Sequence, residues 1–334
     1  MGDRIAGNCN RVPQEAPAAD PARGGGVRRG AGAWALALLG GAAVATGAAA
    51  VAGRLLPSVL VRLPRVLCRP RPAGGEDLAP VAFRSLDGVP LCGWLALPAS
   101  GGAARARGVG ILCHGYLNDH RELLPVARFL QREGYACLLF DFRATGHSGG
   151  DRCTFGFREV LDVLGALRYL AERPEFARLP RFGVGTSMGA VALALAAPLA
   201  PELVALVLDC MYPDLLQALR RRCRLALGPL APLAERAARP TLAREVGADP
   251  AEVSPAAALA LRPELPTLLT FGGWDVYVPR RVASALAGAV PPPKEVWHAP
   301  ATPHSRLHRW RAREFERRVS EFLARALAPC VTQI

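Results

Sequence analysis

The feature that most constrains the fold is a Gly-x-Ser-x-Gly segment at residues 185–189, with apolar runs on both sides. The run before it predicts a buried strand, and the run after it predicts a buried helix. A strand that leads directly into a helix must turn sharply, and Gly185 and Gly189 lack the Cβ atoms that would obstruct such a turn. The pattern therefore predicts a turn that holds Ser187 at strained backbone angles, with its hydroxyl clear of the sheet.

The same glycines allow a competing interpretation, a dinucleotide-binding loop. That fingerprint has its third glycine three residues after the second. Here Gly189 comes four residues after Gly185, and Met188 occupies the position where the fingerprint needs glycine. The loop also lies in the middle of the chain rather than in an opening βαβ unit. The nucleotide-binding interpretation is therefore weak.

Short apolar runs alternate with helical patterns from residue 81 onward. A hairpin comes first, because Asp87-Gly88 is a turn signal between the runs 81–86 and 90–97. Buried strands are predicted at 108–113, 136–140, 182–186, 203–208, 267–271 and 295–297. Helices are predicted at 120–133, 157–172, 188–197 and 305–327. This alternation predicts an α/β fold with a mostly parallel, eight-stranded sheet and helices on both faces.

Residues 210–263 interrupt the alternation with a stretch rich in Leu, Ala, Arg and Pro. Ligands of open α/β sheets bind outside the carboxyl ends of the strands. We therefore interpret residues 210–263 as a short helical cap over those ends and as the source of substrate selectivity. The cap is an insertion in a domain that covers residues 81–328.

The region before this domain divides into three segments. Residues 1–29 lack hydrophobic periodicity and are predicted to be disordered. Residues 30–56 are predicted to form a transmembrane anchor, because residues 30–53 carry no charge. As a helix they would reach roughly 36 Å, more than the ~30 Å hydrocarbon core. A cleaved signal peptide and a soluble Ala-rich helix are the alternatives. Prolines and arginines in residues 57–80 predict a stiff linker.

Arginines near the uncharged segment favour one orientation in a membrane. Three precede it and five follow it: Arg23, Arg28 and Arg29, then Arg54, Arg62, Arg65, Arg69 and Arg71. The positive-inside rule therefore predicts a single-pass membrane protein whose C-terminal domain is cytoplasmic. The nine cysteines include no C-x-x-C pair and no metal-like spacing with histidine, which agrees with a reducing compartment.

The formal net charge is +13, and nearly all of the positive charge is arginine. Nucleic-acid binding would require a basic face with interleaved aromatic residues or a known module, so we predict no nucleic-acid partner. Two arginine groups could favour an anionic membrane surface, with a solvated basic face as the alternative. They are Arg220–Arg222 and the group Arg309, Arg311, Arg313, Arg317 and Arg318.

Ser187 needs a base, because a serine hydroxyl is a poor nucleophile until its proton is taken. A carboxylate that orients the base completes such a site, and on this kind of sheet the chain order is Ser, then Asp or Glu, then His. Asp275 follows a predicted strand 88 residues after Ser187, and His304 follows the last predicted strand 29 residues later. We predict that Ser187, His304 and Asp275 form a catalytic triad.

Other residues compete for these roles. Asp209 ends the strand after the turn and is the alternative acid. His298 lies at the last predicted strand and is the alternative base, whereas His308 is predicted to face solvent on a helix. His147 and Asp141 are interpreted as residues that hold a loop beside the site.

Two backbone N–H groups are candidates for an oxyanion hole. The N–H of Met188 opens the helix that follows Ser187, where the helix dipole is positive. The N–H of Tyr116 lies just after an earlier predicted strand, in the segment Cys113-His114-Gly115-Tyr116. His114 in this segment is interpreted as a structural hydrogen-bonding residue.

The chain resembles the α/β-hydrolase superfamily over about residues 81–328. The resemblance rests on motifs in the family's order: His114-Gly115, the segment 141–148, the turn at Ser187, Gly272-Gly273-Trp274-Asp275, and His304. Within the superfamily it is similar to small-capped esterase and serine-aminopeptidase-like members, some of which carry an N-terminal membrane anchor. Ala144 stands where the pattern Asp-x-Arg-Gly-x-Gly-x-Ser usually has its first glycine.

Two hypotheses follow. The first is a serine hydrolase that cleaves an uncharged carboxylic ester or thioester through an acyl-enzyme, without a cofactor or metal; a serine peptidase is the alternative substrate class. The second is a non-catalytic, membrane-anchored binding protein that keeps the fold without an assembled triad. The expected partners are a small acyl ester or peptide and a membrane, and the oligomeric state is left open.

Overall fold

The computed structural model describes residues 27–68, 78–98 and 102–331. Its strands are Ala79–Arg84 (β1), Pro90–Ala96 (β2), Val109–Cys113 (β3), Ala136–Phe140 (β4), Arg181–Thr186 (β5), Leu203–Asp209 (β6), Thr267–Gly272 (β7) and Lys294–Ala299 (β8). They form one sheet in the order β1-β2-β4-β3-β5-β6-β7-β8. β2 is antiparallel to β1 and β4, and the remaining pairings are parallel. The predicted fold class is confirmed.

The described residues also form α-helices, several of which pack on the two faces of this sheet. They are Val27–Leu67 (α1), Leu124–Arg132 (α2), Glu159–Ala171 (α3), Pro174–Ala177 (α4), Met188–Ala196 (α5), Leu215–Leu227 (α6), Ala231–Val246 (α7), Pro255–Ala260 (α8), Arg280–Ala289 (α9), Leu307–Trp310 (α10) and Ala312–Val331 (α11). Ile111 joins one apolar cluster with residues of α3, α5 and α9, while Leu112 joins a second with residues of α2 and α11. The side chains of adjacent β3 residues thus point to opposite faces of the sheet, as strand geometry requires.

The strand register places the carboxyl ends of the central strands level with one another. Cys113 of β3 pairs with Gly185 of β5, and Thr186 pairs with Asp209 of β6. Because these strands are parallel, the residues that follow them meet at one edge of the sheet. Helices α6, α7 and α8 occupy the stretch between β6 and β7, so the residues predicted to form a cap are largely helical.

Helix α1 differs from the sequence prediction, because it continues through Pro57 and Pro64 where a stiff linker is predicted. Two compact units are present, one ending at Ala48 and the other comprising Ala49–Ile334. Residues 69–77 of the predicted linker lie outside the described residues, as do residues 1–26 of the predicted disordered segment.

Within the second unit, α1 packs along one stripe. Its buried residues recur every three or four positions, which is the period of one helix face: Ala49, Gly53, Pro57, Val61 and Pro64. Val61 belongs to the larger apolar cluster, and its carbonyl accepts a 2.7 Å hydrogen bond from the N–H of Cys153. The Ser58 hydroxyl donates to Glu245 of α7 at 2.7 Å. This packing keeps the segment helical despite its prolines.

The stripe predicts a specific intolerance at Gly53. A Cβ there would lie 2.5 Å from the carbonyl oxygen of Ala234 in α7. Gly53→Val should therefore lower the free energy of unfolding by about 1–3 kcal/mol, measured by urea denaturation of the full chain. Gly47→Val in the same helix is the control, because a Cβ at Gly47 meets no atom of the described residues within 4 Å. Equal effects of the two substitutions would contradict the packing of Gly53 on α7.

Candidate active site

Ser187 occupies the sharp turn between β5 and α5. Its φ of 52° and ψ of −111° are sterically unfavourable for a residue with a side chain. A Cβ on Gly189 would lie 2.1 Å from the carbonyl oxygen of Cys113, so the turn passes directly against the end of β3. The Ser187 N–H donates a 2.7 Å hydrogen bond to the carbonyl of Asp209, which ties the turn to β6.

The structure brings the three predicted triad residues together. His304 Nε2 lies 2.9 Å from Ser187 Oγ, and His304 Nδ1 lies 2.6 Å from Asp275 Oδ2. The other oxygen of Asp275 accepts hydrogen bonds from the N–H groups of Tyr277 and Val278, each at 2.8 Å. Asp275 is thereby fixed in the loop after β7, and it orients the imidazole in the loop after β8.

Asp275 is 4% exposed, yet it is suited to remain ionised. Burial acts to raise the pKa of its carboxyl group, but the hydrogen bond and charge of His304 and the N–H groups of Val278 and Tyr277 outweigh burial and lower that pKa. An ionised Asp275 accepts a hydrogen bond from the N–H at His304 Nδ1. This leaves Nε2 as the nitrogen that faces the serine hydroxyl.

Asp209, the alternative acid, has different partners. Its Oδ1 accepts hydrogen bonds from Thr270 Oγ1 at 2.8 Å and from Cys210 Sγ at 3.3 Å. Its Oδ2 has no hydrogen-bond partner in the described part of the chain. Burial raises the pKa of this carboxyl group to about 6. Asp209 thus supports the Ser187 turn through its backbone, while Asp275 contacts the histidine.

The other candidate histidines lie elsewhere. His298 stacks on Phe271 with ring centroids 5.3 Å apart, and its pKa is lowered by burial and by Arg280. His308 is only 5% exposed, so the prediction that it faces solvent is wrong. It lies in α10, which packs against α2 and β7, and burial lowers its pKa to about 4.

Asp141 holds a loop beside the site, as its position in the sequence predicts. Its carboxylate accepts hydrogen bonds from Nδ1 and the N–H of His120, at 2.8 and 2.9 Å, and from the N–H of His147 at 2.8 Å. Burial alone would raise the pKa of Asp141, but the hydrogen bonds and charge of His120 lower it to about 2. In the same loop Ala144 has a φ of 59°, in the left-handed region where glycine is unstrained. That conformation explains why the family pattern has glycine at this position.

His114 acts as a structural residue in the strand-end loop. Its Nδ1 lies 2.8 Å from the carbonyl of Gly115, and its Nε2 accepts the N–H of Phe142 at 3.0 Å. Because Nε2 accepts, the imidazole is neutral with its proton on Nδ1. Burial lowers the pKa of His114, which favours this neutral form.

Glu122 fixes the same loop and is a residue that sequence reasoning missed. Its carboxylate accepts the N–H of Gly115 at 2.6 Å and the amide of Asn118 at 3.0 Å. Burial raises the pKa of Glu122 to about 7. An acid shortly after a strand resembles an ordinary surface residue of a helical turn, so the sequence contains no signal for this contact. Neither the Tyr116 N–H nor the Met188 N–H has an acceptor among the described residues.

A cleft of about 570 Å³ opens beside Ser187 and His304. Apolar and aromatic side chains line much of it, including Leu60 of α1, Tyr116, Leu225 of α6 and Tyr277. The Tyr116 hydroxyl donates a 2.6 Å hydrogen bond to the carbonyl of Leu60. Leu60 of α1 thus forms part of the wall of the cleft. The sequence predicts a linker at residues 57–80 and gives no sign of this contact.

Cys210, Asp275 and His304 offer three potential metal-ligand atoms within 4.8 Å of one another. Both Asp275 oxygens already accept hydrogen bonds, and Cys210 Sγ accepts the N–H of Ser305 at 3.4 Å. The protein's own hydrogen bonds therefore account for this cluster.

Comparison with known proteins agrees with this fold. Residues 104–214 match the family model described as serine aminopeptidase, S33. The uncharacterised protein YqkD of Bacillus subtilis (strain 168) is 28% identical over 220 residues, which are 64% of this chain and 70% of that protein. The esterase Pf2001 of Pyrococcus furiosus is 26% identical, and its structure matches with a TM-score of 0.61. The match covers 78% of this chain and 100% of the esterase.

The chain belongs to the α/β-hydrolase superfamily. The structure of Est1E of Butyrivibrio proteoclasticus with bound ferulic acid shares the fold at 17% identity and a TM-score of 0.57. It covers 74% of this α/β-hydrolase and 100% of Est1E. The carboxyl edge of the sheet, where this superfamily places its catalytic groups, is where Ser187, Asp275 and His304 meet.

The environment of Asp209 predicts a pH-dependent stability. The folded protein retains the Asp209 proton up to about pH 6, whereas an unfolded aspartate loses it near 3.8. Unfolding therefore releases a proton between these values, and rising pH destabilises the folded state there. Asp209→Asn cannot release this proton. The wild type's free energy of unfolding, relative to that of the variant, should fall by up to about 3 kcal/mol between about pH 4 and about pH 7.

Urea denaturation across this pH range provides the measurement. Asp151→Asn is the control, because the Asp151 side chain is 81% exposed. A difference between wild type and Asp209→Asn that is constant with pH would contradict the raised pKa of Asp209.

Proposed function

We propose that this α/β-hydrolase is a serine esterase that cleaves a carboxylic ester or thioester through an acyl-enzyme. The observation that carries the proposal is the continuous hydrogen-bonded chain from Asp275 through His304 to the strained Ser187. Such a chain supplies a nucleophile, a base and an acid that orients the base. Assembled in this way, it also argues against the hypothesis of a non-catalytic binding protein.

The proposed reaction begins when Ser187 Oγ attacks the acyl carbonyl and His304 Nε2 takes its proton. Asp275 stabilises the imidazolium that forms, because its carboxylate accepts a hydrogen bond from Nδ1–H and stays ionised. The N–H groups of Met188 and Tyr116 are proposed to stabilise the oxyanion. His304 then protonates the leaving alcohol or thiol, and water releases the acid from Ser187 by the same steps.

An ester is favoured over the substrate of an aminopeptidase by the charges in the cleft. An aminopeptidase must bind a positively charged amino group next to the scissile bond. The acid among the described lining residues is Glu122, and both of its oxygens already accept hydrogen bonds. Arg222 and Arg306 also line the cleft and would repel such a group.

Hydrolysis of p-nitrophenyl esters from acetate to laurate by the full chain tests the proposed triad. Ser187→Ala should lower kcat by at least about 10⁴-fold, and His304→Ala should have an effect of similar size because the two residues act as a unit. Asp275→Asn should also lower kcat strongly, since an amide cannot stabilise the imidazolium. The dependence of kcat/KM on chain length measures the length of the acyl pocket.

His298→Ala is the matched control and should retain activity. If His304→Ala keeps full esterase activity and His298→Ala loses it, His298 is the base and the proposed role of His304 is wrong. A folded wild type that neither hydrolyses these esters nor reacts with a fluorophosphonate probe would instead favour the non-catalytic binding protein.

We also propose that the N-terminal half of α1 anchors the protein in a membrane, with the hydrolase domain on the cytoplasmic side. The helical window Val44–Leu67 is long and apolar enough to cross a membrane, with a mean hydropathy of 1.6 and 22% of its residues buried. Most of that window carries the buried stripe, so the anchor is proposed on the uncharged residues 30–48 that precede the stripe. A signal sequence would meet the same criteria of length and composition. The buried stripe from Ala49 to Pro64 is assigned to the hydrolase domain, which leaves the uncharged residues before it for the membrane.

Alkaline carbonate extraction of membranes tests the anchor. The full chain should stay in the membrane fraction, and deletion of residues 1–48 should release a folded protein, because the buried stripe is retained. Recovery of a mature form that begins near Val51 would overturn the anchor in favour of a cleaved signal peptide.

A further inference from the structure

A second, larger cleft lies beside the catalytic cleft and is unusually basic. Its volume is about 800 Å³, and it lies between α6, α7 and the start of α9. Four arginines line it: Arg220, Arg221 and Arg224 of α6, and Arg281 of α9. Glu235 of α7 is the acid among its described lining residues. The first two of these arginines belong to the Arg220–Arg222 group that the sequence singles out.

The arginines are only partly neutralised by the protein. Arg220 forms an ion pair with Glu235 at 2.6 Å, and Arg221 donates to the carbonyl of Val276. Arg224 and Arg281 have no acidic partner among the described residues. Several like charges in a concave surface repel one another and focus a positive potential, which an anion relieves.

The basic group in the last helix provides a contrast. In α11, Arg317 pairs with Glu321 at 2.8 Å and Arg318 pairs with Glu314 at 3.0 Å. Those arginines occur on a helix surface together with acids of the same helix. The arginines of the cleft differ in that four of them line one concave surface that has a single acid among its described lining residues.

The two clefts adjoin at Tyr277, which lines both of them. Its ring centroid lies 5.1 Å from that of the catalytic His304, and the guanidinium of Arg222 lies 5.6 Å from the same ring. A molecule with its ester at Ser187 can thus extend past Tyr277 toward Arg224 and Arg281.

We propose that the basic cleft binds a carboxylate or phosphate group of the substrate, so that the natural substrate is an ester with a negatively charged end. The inference rests on the proposed esterase function and deepens it. Guanidinium groups suit this role because they bind carboxylate and phosphate oxygens through paired hydrogen bonds. The sequence favours an uncharged ester, and the cleft changes that expectation.

Two matched pairs of esters test the proposal on the full chain. Mono-p-nitrophenyl octanedioate is compared with p-nitrophenyl octanoate, which places the charge on the acyl side. Then 4-(octanoyloxy)benzoate is compared with its methyl ester, which places the charge on the alcohol side. In one pair the kcat/KM of the charged ester should exceed that of the neutral ester by about tenfold at low salt, and less at high salt.

The double variant Arg224→Gln, Arg281→Gln should lower this selectivity ratio about tenfold, mainly through KM. Arg236→Gln is the control, since Arg236 is an exposed arginine of α7 that lines neither cleft. A ratio near one in both pairs, or an equal effect of Arg236→Gln, would overturn the proposal while leaving the esterase intact.

Two further measurements separate the remaining outcomes. Calorimetry of octanedioate binding to Ser187→Ala detects the anion site without catalysis. If that binding depends on Arg224 and Arg281 but no ester is hydrolysed, the anion site stands and the esterase proposal fails. If the double variant keeps the selectivity ratio and instead loses a preference for phosphatidylglycerol over phosphatidylcholine vesicles, these arginines face a membrane and the proposal is wrong.

Discussion

The close approach of the Ser187 turn to the end of β3 is the constraint on which the active site depends. Gly189 passes so near the Cys113 carbonyl that no side chain fits, and the Ser187 N–H is fixed to the Asp209 carbonyl of β6. The strained serine is therefore held from both neighbouring strands. Backbone strain of this kind costs of order 1–3 kcal/mol and persists only where the surrounding structure determines it. Here the fully buried central strands provide that support.

Buried carboxylates position the groups around this turn, each in a different way. Asp275 is held ionised by His304 and two backbone N–H groups, as its proposed role in a triad requires. Asp141 is stabilised as a carboxylate by His120, whereas burial raises the pKa values of Glu122 and Asp209. The site thus combines one acid that contacts His304 with three that shape loops and strand ends. Hydrogen-bond partners distinguish these roles where residue type does not.

The part of helix α1 that belongs to the second compact unit packs beside the cleft at Ser187. Its buried stripe packs on the domain. Leu60 lines the cleft, and its carbonyl accepts a hydrogen bond from the Tyr116 hydroxyl. Tyr116 also carries one of the two N–H groups proposed for the oxyanion hole. A change in this helix can therefore affect the site without touching the triad. The predicted cap also contributes, since α6 supplies Leu225 to the cleft at Ser187 and Arg224 to the basic cleft.

The sequence by itself determined the sheet and the triad candidates, because both depend on local signals. Short apolar runs mark buried strands, glycines mark a turn where a Cβ cannot fit, and Asp275 and His304 follow strands that end at the same edge. The tertiary structure alone decided which acid meets His304, that His308 is buried, and that Glu122 holds the loop at Gly115. It also decided that Pro57 and Pro64 lie in a packed helix, and that arginines of α6 and α9 line one cleft. These are contacts between residues far apart in the chain, and their partners are set by packing that no local pattern encodes.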